Sequence, residues 1–232
     1  MREVWREHPS VQRLARVARA LGPLNARLVF IGGAVAPILQ TEPPFVSARV
    51  TKDVDAVAAT GSASYHAALQ GELRAQGFRE AMSEAHAHRW QAPDDSIFDL
   101  VPAGDHLGAS GQLWDRVAIE TATELQLEPG LTIRHANAPA FLALKWAAFR
   151  DRGADDPFNS HDLEDIIGVI ASRPVIVAEV QAAPHAVKAF VRSQMEWLMQ
   201  HRDFEDLLAT NLARVTDGGA VARITRERIE AM

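Results

Sequence analysis

The order of elements in this chain is set by the stretch Leu28-Val29-Phe30-Ile31-Gly32-Gly33 and by Thr51-Lys52-Asp53-Val54-Asp55, which follows it. The apolar run predicts a buried strand, and the glycine pair predicts a turn into a short helix that reaches about residue 40. Backbone N–H groups at such a turn can face an anion, because no side chain covers them. The glycine pair is therefore either an ordinary tight turn or a cradle for phosphate.

Three aspartates follow the glycine pair on predicted strands. Asp53 and Asp55 stand at positions i and i+2, so on a strand they point to the same face. Asp99 lies within Ile97-Phe98-Asp99-Leu100-Val101, where an ionised side chain is costly unless a cation or hydrogen bonds compensate it. Taken separately, Asp53 and Asp55 fit a solvated strand edge or turn, and Asp99 fits a structural carboxylate whose hydrogen bonds are satisfied. Together with a phosphate cradle, three convergent carboxylates indicate metal-assisted phosphoryl or nucleotidyl transfer.

The composition is that of an ordinary soluble globular protein, with 232 residues, 47% hydrophobic and 23% charged. No apolar run approaches the length of a membrane span, and residues 1–7 lack the apolar core of a signal peptide. We therefore expect a cytoplasmic protein with no membrane partner. The absence of cysteine excludes disulfides, thiolate metal sites and cysteine nucleophiles. With a net charge of −6, a nucleic-acid acceptor would need a local basic patch.

Residue patterns along the chain predict an α/β (α+β) block over 1–135 and a helical domain over 136–232. Ser10 is expected to cap the first helix, which ends near Gly22. A loop is expected over 41–47, and Ser62 or Ser64 is expected to start a helix that ends at Gly77. Strands are predicted over 27–31, 50–58, 78–82, 87–91 and 96–101, and helices over 139–152 and 161–171.

Charged residues on two predicted helices of the second half stand beside apolar ones. Phe141, Lys145 and Phe149 share one helix face, so Lys145 either snorkels to water or directs a cation into a cleft. Asp162 and Asp165 follow at i and i+3. They are either first-turn carboxylates that stabilise the helix dipole or further cleft residues.

The chain resembles the AbiEii-type nucleotidyltransferases, which belong to the DNA polymerase β-like superfamily and include toxins of bacterial toxin–antitoxin pairs. The resemblance covers roughly residues 25 to 172. The motifs that carry it are Gly32-Gly33, Thr51-Lys52-Asp53-Val54-Asp55, His88-Arg89-Trp90, Phe98-Asp99-Leu100-Val101-Pro102, Lys145, Arg150-Asp151 and Ser160-His161-Asp162-Leu163-Glu164-Asp165-Ile166.

The resemblance implies a small, twisted, mixed sheet flanked by helices, with the helical domain completing the cleft. It implies that Asp53, Asp55 and Asp99 are catalytic residues and ligands of Mg²⁺ or Mn²⁺, with Lys145 as a further catalytic residue. The residues that it assigns to nucleotide binding are Gly32, Gly33, Lys52, Lys145, Asp162 and Asp165. One departure is Ala34, where many relatives carry Ser or Thr, so backbone amides alone would hold the terminal phosphates.

The activity implied is transfer of NMP from an NTP to a hydroxyl of RNA, including tRNA, or of a protein. A toxin role with an antitoxin partner is part of this hypothesis. Two alternatives stay open: a non-catalytic nucleotide- or partner-binding module that retains the fold, and a nucleic-acid-binding protein without turnover.

Basic residues and histidines near the motif carboxylates leave further alternatives. Arg49, Lys52 and Arg89 either bind phosphate or balance the acidic side chains. The pair in His86-Ala87-His88 is interpreted as one face of a strand in preference to a metal-binding pair.

Overall fold

The computed structural model describes residues 4–42, 48–59, 63–81, 88–103, 112–213, 215 and 217–232. The chain divides into two compact units. The first unit comprises Met1–Pro37 and Val50–Asn137, and the second comprises Ile38–Arg49 and Ala138–Met232.

The first unit is a mixed sheet with helices. Its helices are α1 (Pro9–Leu21), α3 (Ala63–Ala75) and α4 (Gln112–Glu120), while the short helix α2 (Ala36–Leu39) spans the boundary along the chain. The strands are β1 (Leu28–Ile31), β2 (Asp53–Ala59), β3 (Arg79–Glu80), β4 (Arg89–Gln91), β5 (Ile97–Ala103), β6 (Thr123–Glu128) and β7 (Leu131–His135).

Seven strands of the described residues form one sheet in the order β3-β4-β5-β2-β1-β7-β6. β2 runs parallel to β5 and antiparallel to β1, and β1 runs parallel to β7. The pairs β3–β4, β4–β5 and β6–β7 are antiparallel. The predicted mixed α/β fold is confirmed.

Alternation of burial along β2 and β5 distinguishes two faces of the sheet. Val54 and Ala56 of β2 and Phe98 of β5 are fully buried, as expected for apolar residues that share one face of a sheet. Asp53 and Asp55 alternate with these residues and are only half-buried. The strand β1 is buried along its whole length, in agreement with its continuous apolar sequence.

Several local predictions differ from the structure. Ser10 is not the cap of α1: His8 precedes the helix, and its Nδ1 accepts from the Ser10 N–H at 3.2 Å. The Ser10 hydroxyl instead accepts from the N–H of Thr51 at 3.0 Å. β2 begins later than predicted, and no strands were predicted where β6 and β7 lie. The loop over 43–47 and the strand ends at 82 and 87 lie outside the described residues.

The second unit is helical, as the composition of that half predicts. Its helices are α5 (Ala138–Arg152), α6 (His161–Ser172), α7 (Ile176–Ala182), α8 (His185–Gln200), α9 (Phe204–Leu212) and α10 (Gly218–Glu230). α5 and α6 match the predicted helices to within a residue at each end. In the part of the chain that the structure describes, no helix has both the length and the apolar character needed to cross a membrane.

An aromatic group and a capped helix end organise the core of this unit. Trp146 and Phe149 of α5 pack edge to face at 5.4 Å between ring centroids, and Trp197 of α8 lies 5.6 Å from Phe149. At the end of α6, Arg228 donates to the carbonyl groups of Ile170 and Ala171. These bonds satisfy carbonyl groups that a helix leaves without partners at its C-terminus.

Candidate functional site

Strand register aligns the predicted acidic residues of the first unit across the sheet. Asp55 of β2 pairs with Asp99 of the parallel strand β5, and Asp99 pairs with Arg89 of the antiparallel strand β4. Asp53 lies two residues before Asp55 and therefore on the same face. We call Asp53, Asp55, Asp99 and Arg89 the carboxylate cluster. The register thus places the three aspartates that the sequence singled out on the same face of two neighbouring strands.

Arg89 is the counter-charge of this cluster. Its Nε lies 2.9 Å from Oδ1 of Asp99, and its Nη2 lies 2.7 Å from Oδ2 of Asp99, which is a two-pronged contact. The same Nη2 reaches Oδ2 of Asp53 at 3.2 Å. The hydrogen bond to Asp99 raises the pKa of Arg89 above its usual value. Of the two roles that the sequence left open for Arg89, this arrangement matches the balancing of acidic side chains.

The turn after β1 lies against Asp55. Ile31, the last residue of β1, pairs with Asp55, so the next residue, Gly32, comes next to this carboxylate. A Cβ atom built on Gly32 would collide with Oδ2 of Asp55 and lie 2.8 Å from its Cγ. Gly32 also has a φ of +72°, which favours glycine. Glycine is required here both for the turn and for the approach of Asp55, and the buried Gly33 follows.

The start of β2 is held by residues of α1, which sequence reasoning did not identify. The N–H of Thr51 donates to Ser10, and Arg13 donates to the carbonyl group of Thr51. The Thr51 hydroxyl donates to the backbone carbonyl of Asp53 at 2.9 Å. These contacts fix the backbone immediately before the acidic pair. Lys52, which lies between Thr51 and Asp53, is exposed. The sequence around Thr51 does not reveal that the partners of this residue lie on α1.

Carboxylate oxygens are the donors that Mg²⁺ and Mn²⁺ prefer, so the chemistry of the cluster fits a divalent cation. Among the residues that the structure describes, however, no three acidic or histidine side chains are gathered closely enough to hold a metal ion. The guanidinium group of Arg89 contacts two of the three carboxylates, those of Asp99 and Asp53. The assignment of Asp53, Asp55 and Asp99 as metal ligands stays a prediction.

A second group of charges is buried in the helical unit, and we call it the buried ion group. Nζ of Lys145 on α5 lies 2.9 Å from Oδ1 of Asp162 and 2.6 Å from Oδ2 of Asp165, both on α6. The three side chains are less than a tenth exposed. Arg152 adds a contact to Asp162 at 3.0 Å from a side chain that is mostly exposed.

The environment of Lys145 differs from that of a snorkelling lysine, because its ammonium group is buried and paired. Burial by itself lowers the pKa of Lys145, but Asp165 and Asp162 outweigh it, so the pKa is raised above its usual value. Asp162 lies in the first turn of α6, and both Asp162 and Asp165 are buried against the lysine. Their assignment to nucleotide binding stays a prediction.

Comparisons with known proteins define the class of fold. No protein-family description and no curated protein matches the chain. Among solved structures, the chain is similar to an antigenic nucleotidyltransferase-like protein from Paracoccidioides brasiliensis, with a TM-score of 0.50 and 17% identity over 91% of this chain and 95% of that one. It is also similar to the antibiotic-resistance factor ANT(2'')-Ia, with a TM-score of 0.49 and 16% identity over 82% and 95% of the two chains.

At this level of identity the likeness defines the fold alone. The protein has a nucleotidyltransferase-like fold, and the predicted sheet type is confirmed to that extent. The narrower resemblance to AbiEii-type enzymes stays a prediction.

Proposed function

We propose that this protein is a divalent-cation-dependent nucleotidyltransferase that moves NMP from an NTP to an acceptor hydroxyl group. The observation that carries the proposal is the alignment of Asp53, Asp55 and Asp99 on one face of β2 and β5. The glycine turn at the end of β1 lies beside Asp55, where a triphosphate would need backbone donors. A nucleotidyltransferase-like fold supports the same activity.

In the proposed reaction, the acceptor oxygen forms a bond to the α-phosphorus while the bond from that phosphorus to the bridging oxygen breaks. Pyrophosphate leaves with the electron pair, and the hydroxyl proton passes to a carboxylate oxygen of Asp99. The N–H groups of Gly32 and Gly33, together with the exposed Lys52, bind the phosphates. Asp53, Asp55 and Asp99 would hold Mg²⁺ or Mn²⁺, which when bound would neutralise charge on the triphosphate.

For the acceptor we propose a hydroxyl group of RNA, tRNA included, or of a protein. A role as the toxin of a toxin–antitoxin pair belongs to the same proposal. Both points rest on the motif resemblance. An overall charge of −6 disfavours long-range attraction of RNA, so an RNA acceptor needs local contacts.

For Lys145, Asp162 and Asp165, a role in nucleotide binding is supported by the motif resemblance. The ion pairs of these residues with one another support a structural role instead, because each charge already has a buried partner. The two roles make opposite predictions for the stability of a variant that lacks the lysine.

A second candidate function is a non-catalytic nucleotide- or partner-binding module that retains the fold. The observation that favours it is the contact of Arg89 with Asp99 and Asp53, which compensates these carboxylates without any metal. The presence of Ala34 after the glycine pair favours it as well, because no hydroxyl is available there for a terminal phosphate.

The test is incubation of the protein with each labelled NTP, Mg²⁺, total RNA and a protein extract, followed by identification of the labelled product. We expect transfer by the wild type and its loss in Asp55→Asn. Asp95→Asn is a matched control, because Asp95 lies in the turn before β5, is exposed, and has a positive φ that asparagine tolerates. Binding of NTP without transfer of label to any acceptor would favour the second candidate.

A further inference from the structure

We propose that Arg89 is an internal counter-cation of the carboxylate cluster, which a divalent cation must displace from Asp99 and Asp53 before it binds. The inference deepens the proposed function and rests on it. It assigns a role in cation binding to a residue that is itself not a ligand.

The guanidinium group of Arg89 contacts two carboxylates of the cluster at once. Nη2 of Arg89 lies 2.7 Å from Oδ2 of Asp99 and 3.2 Å from Oδ2 of Asp53, so one nitrogen bridges the two carboxylates. A bridging Mg²⁺ needs oxygens at about 2.0–2.1 Å. Such an ion would lie against the positively charged guanidinium group if Arg89 kept its position, and the two cations would repel each other.

Both carboxylate oxygens of Asp99 are engaged by Arg89. Nε of Arg89 donates a hydrogen bond to Oδ1 at 2.9 Å, while Nη2 donates to Oδ2. Asp99 is 17% exposed and Arg89 is 20% exposed, so solvent screens this pair less than it would screen a surface pair. A cation that recruits Asp99 must therefore compete with a strong, partly shielded contact.

The guanidinium group of Arg89 depends on the carboxylate cluster for its hydrogen bonds. In the described part of the chain, the hydrogen bonds of its guanidinium group all go to Asp99 and Asp53. Its strand β4 is three residues long and lies next to β3 at the end of the sheet. Once a cation satisfies the carboxylates, no further hydrogen bond in the described residues holds the guanidinium group in place.

The inference is tested by equilibrium titration with Mn²⁺, followed by electron paramagnetic resonance of the free ion. Wild type, Arg89→Gln and the control Arg79→Gln are compared. Arg79 lies on the neighbouring strand β3 and pairs with Asp95 from an exposed side chain, so its removal alters the net charge equally without touching the cluster. We expect Arg89→Gln to bind Mn²⁺ about 10- to 100-fold more tightly than wild type, and Arg79→Gln to bind like wild type.

The outcomes separate the inference from the proposed function. Binding of Mn²⁺ by wild type with equal or weaker binding by Arg89→Gln overturns the inference and leaves the proposed function standing. An equal gain in Arg79→Gln also overturns the inference, since general charge would then explain it. If neither the wild type nor Arg89→Gln binds Mn²⁺, the proposed cation site and the inference are both overturned.

A second measurement uses wild-type protein alone and so does not depend on the folding of the variant. Phenylglyoxal modifies free guanidinium groups, and mass spectrometry reports the extent at each arginine. We expect Mn²⁺ to increase modification of Arg89 severalfold and to leave Arg79 unchanged. Unchanged or reduced modification of Arg89 at saturating Mn²⁺ overturns the inference.

Discussion

Lys145→Met removes the cation of the buried ion group while keeping an aliphatic side chain of similar length. From sequence alone, a lysine between Phe141 and Phe149 that directs its cation into a cleft would tolerate methionine within about 1 kcal/mol. The structure reverses this expectation. Asp165 would lose the ammonium group at 2.6 Å, whereas Asp162 would keep its contact with Arg152.

The magnitude follows from burial. The side chains of Lys145, Asp162 and Asp165 are 9%, 6% and 2% exposed, so water cannot replace the lost partner. Removal of one member of such a buried pair typically costs about 3–5 kcal/mol, because the remaining charge is left uncompensated. A matched control is Arg152→Met, which removes another cation from Asp162. Since its side chain is 68% exposed, we expect a loss of at most about 1 kcal/mol.

Urea denaturation followed by circular dichroism measures these differences. In the Lys145→Met background, the added change Asp165→Asn should recover part of the lost stability, because it removes the uncompensated charge. If Lys145→Met unfolds at the same urea concentration as wild type but binds NTP poorly, the structural interpretation is refuted and a nucleotide role is favoured.

Three further predictions concern the first unit. Asp99→Asn should lower the free energy of unfolding by about 1–3 kcal/mol, because it breaks the two-pronged contact with Arg89. The same variant should reduce turnover on the order of 10²-fold or more, and retained turnover would contradict the catalytic role. Gly32→Ala should destabilise the protein by at least about 1–2 kcal/mol in thermal melts, because the added Cβ collides with Asp55. Gly71 has open space around it on α3, so the control Gly71→Ala should stabilise the protein by up to about 1 kcal/mol. Equal melting temperatures of the two variants would contradict the collision with Asp55. Burial raises the pKa of Asp115 to about 6, so the folded state binds more protons than the unfolded state between about pH 4 and 6, and stability should fall by up to about 3 kcal/mol as pH rises through that window. Asp115→Asn should abolish this slope in urea titrations at several pH values, and a slope that persists would show that another group causes it.

Local sequence patterns predicted much of the secondary structure of the first unit. The apolar run before Gly32 predicted β1, and the alternation around Asp53 and Asp55 predicted that both carboxylates share a face, because side chains on a strand alternate with a period of two. The strands β6 and β7 were missed. Leu125 and Leu127 of β6 and Leu131 and Ile133 of β7 alternate with polar residues on either side of Pro129-Gly130, a pattern that is typical of a hairpin and that the sequence interpretation did not use.

The sequence by itself determined that Asp53 and Asp55 lie on one strand face and that Asp99 interrupts an apolar strand, since these are properties of neighbouring residues. Only the tertiary structure decided that β5 pairs with β2 in the register that joins Asp99 to Asp55, and that β4 brings Arg89 opposite Asp99. The order and register of strands depend on packing between distant segments, which local patterns do not encode. The same reason applies to Lys145. Its spacing predicted a helix face, but the packing of α5 on α6 selected Asp162 and Asp165 as its partners.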